Sequence, residues 1–242
     1  MDPGGARMTG PLGDLFGYLA DGENWSGSSG LLARLGEHLQ ISALALFVAV
    51  AFAVPLALWL GHIGKGGVLA VNAARAVPSY AVLVIFVTLP DPLGANTFSF
   101  VLALALFSLP PLLTNTYVGV REVDHGVVDA ANGVGMSGWQ VLRRVELPLA
   151  LPLIMTGVRL AAVQVVATTT VLGLVGGGGL GRLINAGFVG QDQGKILGSA
   201  LVVTVLALAT EALFELLERR GRRAGLRDID QQVVATGAVS RI

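Results

Sequence analysis

Residues 41–60 run for twenty positions without one charged side chain. A helix of about 20 apolar residues is long enough to cross the ~30 Å hydrocarbon core of a bilayer. Four further stretches approach that length: 68–89, with Arg75 near its start and Pro78 soon after; 97–118, uncharged but holding Pro110-Pro111; 153–175, with Arg159 early; and 196–217, charged only from Glu211 onward. In hydrocarbon every backbone N–H and C=O must be satisfied internally, so such segments are helices, and prolines inside them need local compensation. Pro55, Pro78 and Pro110 therefore read as kinks that shape packing. Only 13% of the residues are charged and mean hydropathy is +0.71, against a charged share of about 25% in soluble domains. The expectation is an all-α membrane protein with about five core transmembrane helices. No cysteine is present, which excludes disulfides and thiolate metal sites.

The flanks divide the chain. Residues 1–38 form a polar N-terminal tail rich in Gly, Ser, Asp and Glu, without the basic and apolar regions of a secretory signal. The tail is expected to end in an amphipathic turn at Leu31, Leu32, Leu35 and Leu39. Residues 39–218 form the transmembrane domain, and 219–242 a basic tail. With the loop after the first span, the 121–148 segment and the C-terminus inside, inner flanks hold Lys65, Arg75, Arg121, Arg143, Arg144, Arg219, Arg220, Arg222, Arg223 and Arg227. Outer flanks then hold only Arg7, Arg34, Arg182 and Lys195. That excess satisfies the positive-inside rule and puts the N-terminus outside and the C-terminus in the cytoplasm. The arginines of 219–227 are explained as a stop-transfer flank drawn to anionic lipid. They lack the interleaved aromatics of a nucleic-acid surface, so no nucleic-acid partner is expected. Arg75 and Arg159 lie near the inner boundary, within reach of headgroups by snorkelling. His38, His62 and His125 have no ligand spacing, and no metal site is expected.

Between two hydrophobic blocks, residues 129–148 read DAANGVGMSGWQVLRRVELP. This polar, basic segment is the part built to meet something soluble. Small Ala130 and Ala131 allow close backbone approach, Asp129 suits the first turn of a helix, and Gly135 can end one helix and turn the chain into the next. Met136 to Val145 would form a second amphipathic helix, with Trp139 at the interface and Arg143 and Arg144 on its basic face. Leu147-Pro148 and Leu151-Pro152 would end that helix and start the following span.

The order acidic-Ala-Ala, three residues, Gly, nine residues, aliphatic, one residue, Leu-Pro resembles the cytoplasmic EAA loop of the permease subunits of binding-protein-dependent ABC importers. This chain keeps every spacing, with Asp129 for the family's Glu and Val145 for its Ile. The Val-Pro-Leu around Pro55 and the run from Arg75 to Ser79 also resemble osmoprotectant-type permeases, as does Gly-Gly-Leu-Gly followed by Leu183-Ile184 and Phe188. The resemblance implies a type I ABC importer permease. Asp129, Ala130, Ala131, Gly135, Leu147 and Pro148 would then couple to a separate ABC ATPase subunit, which holds ATP-Mg. This chain would bind no cofactor and would be a transport subunit rather than an enzyme. A second permease subunit, the same or related, an extracytoplasmic substrate-binding protein and membrane lipid are the remaining partners. The implied cargo is a quaternary-ammonium or related osmoprotectant: glycine betaine, carnitine, choline or proline. The location is the cytoplasmic (inner or plasma) membrane, spanned several times.

Pathway or gate candidates are Pro78, Ser79, Gln164, Thr168, Thr169, Gly178, Gly179 and Gly181. Gln164 and the threonines sit too deep to reach headgroups, although threonine often bonds its own helix carbonyls. Gly176, Gly178 and Gly181 formally spell a dinucleotide fingerprint. That motif must follow a buried strand, and here it follows a span, so a tight turn at the outer end of the fourth helix is the expectation. Gly194-Lys195 precedes Ile196 rather than Ser or Thr, so no phosphate-binding loop is present. A permease for amino acids or sulfonates would share the coupling loop. An ion-coupled secondary transporter would need acidic ligands at mid-depth, usually in repeated halves, and the spans hold no Asp or Glu before Glu211. A non-transporting scaffold would be indifferent to substitution of Asp129 and Gly135.

Overall fold

A computed structural model describes residues 10–64, 81, 84–85, 88 and 96–239, with side chains described up to 220. The expected span 68–89, with Arg75, Pro78 and Ser79, lies almost wholly outside them. Among the described residues the chain is helical without strands. A short helix α1 (Pro11–Ala20) and a 3-10 turn (Gly22–Trp25) lead into α2 (Leu31–Ile63). After α3 (Thr97–Arg121) come the short α4 (His125–Gly133) and α5 (Gly138–Val141), and a π-helical turn (Leu142–Glu146) feeds α6 (Leu147–Thr169). A 3-10 turn (Thr170–Val175), α7 (Leu180–Gly190) and α8 (Gln193–Val239) complete the order. Four helical segments among the described residues are long and apolar enough to cross a membrane: Leu31–Ile63, Thr97–Arg121, Gly138–Val175 and Gln193–Arg220.

Small side chains decide how the spans meet. Along α2 the buried positions include Ala45, Ala49, Ala53, Ala57 and Gly61, a four-residue spacing that puts them on one face. Lipid tails offer no hydrophobic drive for helix association, so close backbone approach along small residues supplies it through dispersion. A Cβ on Gly61 would stand 2.7 Å from Val120 Cβ of α3. The opposite face of α2 carries Phe47, Phe52, Leu56, Trp59 and Ile63, all exposed as a lipid-facing surface would be. The same device joins α3 to α6, where a Cβ on Gly157 would stand 2.9 Å from Asn115 Cβ. Ala105, Leu112, Leu113 and Ala161 fill the middle of the three-helix core with the α2 alanines.

Two boundaries differ from the sequence expectation. The first span begins at Leu31, inside the stretch read as a polar tail, because Leu31, His38, Ile41 and Ser42 continue the buried stripe of α2 toward its N-terminus. Its 33 residues reach about 50 Å at 1.5 Å per residue, so its ends stand beyond a ~30 Å core. Neither Leu147-Pro148 nor Leu151-Pro152 interrupts the chain: Gly138–Val175 is one continuous helical segment. The π turn absorbs Pro148, since Leu147 N–H reaches back to Leu142 O and the widened ladder tolerates a missing donor at the next position.

The Pro110-Pro111 pair also passes through a helix without ending it. Pro111 has no N–H for the carbonyl four residues before it, that of Phe107. Gln164 of α6 fills this vacancy, its Nε2 donating to Phe107 O at 3.2 Å. At the N-terminal end of α8, the Tyr18 ring of α1 lies close against Gly198 and the Asp14 carbonyl against Gly194, and burial raises the Tyr18 phenol above its usual pKa.

Candidate functional site

The expected coupling segment folds as two short helices joined by a glycine turn. Asp124 caps α4, its Oδ1 accepting the Gly126 N–H at 2.6 Å. The helix ends in a Schellman motif: Gly135 N–H donates to Asn132 O at 3.0 Å, Met136 N–H donates to Ala131 O at 3.2 Å, and Gly135 has φ 84°. Asp129 is therefore not in the first turn of its helix. Asp124 takes that place, because the helix starts four residues earlier than the acidic residue of the motif. The two alanines also separate. Ala130 is exposed, whereas Ala131 is buried against the chain itself and supports the helix from beneath. Asp129, Ala130 and Gly135 share their exposed surface with Val127, Val134 and Trp139. Leu147 is half-buried and Pro148 exposed, at the start of α6. Gln140 Oε1 accepts the Ser137 N–H at 2.8 Å and orders the entry to α5. A surface of apolar side chains, one carboxylate and bare backbone suits a protein partner.

At the N-terminal end of α2 a second constellation gathers around the glycine run. Glu37 Oε2 accepts the Gly179 N–H at 2.9 Å, and Arg34 Nη1 donates to the same oxygen at 2.6 Å. His38, fully buried, accepts the Leu180 N–H on Nδ1 at 3.3 Å and lies 2.8 Å from Val166 O through Nε2. An imidazole that accepts on one nitrogen and meets a carbonyl with the other carries its proton on Nε2. One turn on, Ser42 Oγ and Thr169 Oγ1 are 2.9 Å apart, and Thr169 Oγ1 donates to Val165 O at 2.8 Å. The residues of α2 thus bind the place where α6 tightens into its 3-10 turn and the loop that follows.

This contact explains the glycines better than flexibility does. A Cβ on Gly178 would collide with the Glu37 carboxylate, one on Gly181 with the Thr170 carbonyl, and one on Gly173 with the Gly181 backbone. Gly179 has φ 78°, and a Cβ there would stand 3.1 Å from His38 Nδ1. The run is a closely packed turn of the kind expected at that end of the span.

The remaining candidates divide. Gln164 and Thr168 are half-buried, while Thr169 is fully buried between helices. Pro78 and Ser79 lie outside the described residues. Arg159 is paired across helices: its Nη1 donates to Glu211 Oε1 of α8 at 3.0 Å and its Nε faces Glu218 Oε2 at 3.6 Å. Thr156 Oγ1 adds a 3.3 Å bond to Glu218. Among the described residues no group of His, Cys, Asp and Glu could hold a metal ion. Sequence reasoning passed over Glu37, His38, His62 and Glu146. Their signal was polarity within long apolar helices, invisible while the histidines were tested only for ligand spacing.

Comparison with known proteins agrees with this architecture. Residues 49–223 match the family described as binding-protein-dependent transport system inner membrane component. The chain is 36% identical over 204 residues to the glycine betaine/carnitine/choline transport system permease protein OpuCB of Bacillus subtilis (strain 168), covering 83% of this chain and 93% of that one. It is 37% identical over 193 residues to the carnitine transport permease protein OpuCB of Listeria monocytogenes, covering 78% and 87%. Its fold is similar to that of the inward-facing MetNI methionine ABC transporter, with a TM-score of 0.70 at 20% identity over 79% of this chain and 96% of that one. Permeases of this kind work with an ATPase and a substrate-binding protein. Four membrane-crossing helices among the described residues, a type I importer fold and a family match across most of the chain leave one assignment: it belongs to the binding-protein-dependent inner membrane components, as an ABC importer permease that transports rather than catalyses and leaves ATP hydrolysis to a separate subunit.

Proposed function

We propose that this chain forms the translocation pathway for quaternary-ammonium or related osmoprotectants, among them glycine betaine, carnitine, choline and proline. The observation that carries the reading is identity of 36–37% to permeases named for glycine betaine, carnitine and choline, over 78% or more of the chain. Two permease subunits, identical or related, enclose the pathway. An ABC ATPase pair binds ATP-Mg and meets Asp129, Ala130, Gly135, Leu147 and Pro148, with Ala131 bracing the contact from below. The exposed apolar surface around Gly135 supports that docking, and the excess of arginine and lysine on that side supports a cytoplasmic position. On the same grounds the N-terminus lies outside and the C-terminus inside the cytoplasmic membrane.

In this orientation Gly178, Gly179 and Gly181 lie at the outer end, where Glu37 and His38 hold the turn shut. Gln164 and Thr168 line the wall of the pathway, and Thr169 stiffens the helix behind it. When ATP closes the ATPase pair, the docked helices move as rigid pieces and switch access from one side to the other. Selection of cargo resides largely in the extracytoplasmic binding protein, for which aromatic rings around a cation are the suited chemistry.

Uptake of labelled glycine betaine at high osmolarity, in cells with and without this chain, tests the reading. Loss of uptake on deletion, restored by the unaltered chain and not by Gly135→Pro, is the expected result. Unchanged uptake without the chain, while the cognate binding protein binds only amino acids or sulfonates, would replace the cargo.

A further inference from the structure

The C-terminal end of α2 carries a partly buried histidine–carboxylate hydrogen bond that the docking surface does not use. His62 Nδ1 lies 2.7 Å from Glu146 Oε2 across 84 positions of sequence. Glu146 is 6% exposed and closes the π turn Leu142–Glu146. The other edge of the same imidazole rests against the start of α5: a Cβ on Gly138 would stand 3.2 Å from His62 Nε2. One side chain of the first span therefore touches both ends of the helical segment 138–146. Two residues later α2 stops at Gly64, in the left-handed region with φ 68°, so His62 sits in its last turn.

Without this contact, a push on the 129–148 segment would reach the spans mainly along the chain, through α6. With it the push also reaches α2 directly. A buried carboxylate is costly unless paired, so the pair holds the two helices in one register. The π turn is where such a junction is useful: it is a local irregularity in the hydrogen-bond ladder, a feature frequent at functional sites.

We propose that His62 is a positioning residue for energy coupling: through Glu146 and Gly138 it fastens the first span to the coupling segment, so that α2 moves with that segment. The far end of α2 is fastened by Glu37 and His38 to the glycine turn. About 36 Å separate His38 from His62 at 1.5 Å per residue, and α2 runs unbroken between them. Motion received at one face is thereby delivered to the closure at the other.

The inference rests on the reading of 129–148 as the ATPase-docking segment, and the experiment separates the two. The unaltered permease, its ATPase and its binding protein are reconstituted in proteoliposomes. Radiolabelled glycine betaine uptake and ATP hydrolysis are measured together, and ATPase retention is scored by pull-down. His62→Ala and Glu146→Ala should retain the ATPase yet lower uptake per ATP about fivefold or more, the scale of an ordinary coupling free energy. The double variant should be no worse than either single one. His62→Asn, which keeps a donor near the Nδ1 position, should restore the ratio, a rescue that a merely space-filling role does not predict. Should His62→Ala fail to fold, His62→Gln, whose donor lies near the Nε2 position, compared with His62→Asn carries the same test. Equal uptake per ATP in all variants would overturn the proposal. Retention of the ATPase by Gly135→Pro would instead overturn the docking reading.

Discussion

Replacing His38 by alanine isolates the contact between α2 and the glycine turn. The imidazole is fully buried and meets two backbone groups, Leu180 N–H at 3.3 Å and Val166 O at 2.8 Å. Alanine reaches neither. Each backbone group left buried and unpaired costs about 1–3 kcal/mol. Two of them at the low end give about 2 kcal/mol, a factor of about 30 in a local opening equilibrium at 1.4 kcal/mol per decade. The Gly179 and Leu180 amides are the donors of the latch, so hydrogen exchange over 176–190, followed by mass spectrometry in nanodiscs, reads the opening directly. Exchange at Leu180 should quicken about 30-fold or more in His38→Ala. His38→Asn, with an acceptor near the Nδ1 position, should protect Leu180 while losing the Val166 contact, and His38→Gln should do the reverse. Unchanged exchange at Leu180 in a folded His38→Ala variant would refute the reasoning, because the bond would then hold nothing shut.

Two further perturbations follow from the spans. Gln164→Leu removes the donor that answers the Phe107 carbonyl and should lower stability by about 1–3 kcal/mol; Pro111→Ala in the same chain supplies the missing backbone N–H and should recover most of that loss, as thermal unfolding in nanodiscs would show. Arg159→Met removes the cation that faces Glu211 and Glu218 across the helices and should destabilise the contact between α6 and α8; a melting temperature unmoved by the change would show that the charges are solvated rather than paired.

The sequence alone determined that this is a helical membrane protein; for the side that the basic loops face and the place where a soluble partner meets it, charge bias and the 129–148 segment supply the proposal. Uncharged runs near twenty residues admit few other solutions in a bilayer, and the spacing from Asp129 through Gly135 to Pro148 survives as a linear pattern because the segment is local. Gly135 is a case in point: a helix that must turn sharply needs a residue tolerant of φ 84°, and only glycine stands there. The helix start at Leu31 was hidden because Arg34, Glu37 and His38 interrupt the apolar run, their polar groups being answered by one another, by the glycine turn and by Val166 O, and the continuity past Pro148 was hidden by a π turn that no periodicity announces.

Tertiary structure alone decided which polar groups serve which purpose. Gln164 stands out in the sequence only as a polar residue deep in a span until the Phe107 carbonyl is found beside it, and the glycines of 176–181 read only as a tight turn until Glu37 and His38 are found pressed against them. Their partners lie 57 and about 140 positions away. A buried donor or acceptor takes whatever group the packing of helices brings within hydrogen-bond distance, and along α2 that packing is governed by a row of alanines rather than by the polar residues themselves. His62 and Glu146, 84 positions apart, are neighbours for the same reason: small side chains let α2 and α3 close together, and the C-terminal end of α2 is thereby carried onto the segment that enters α6.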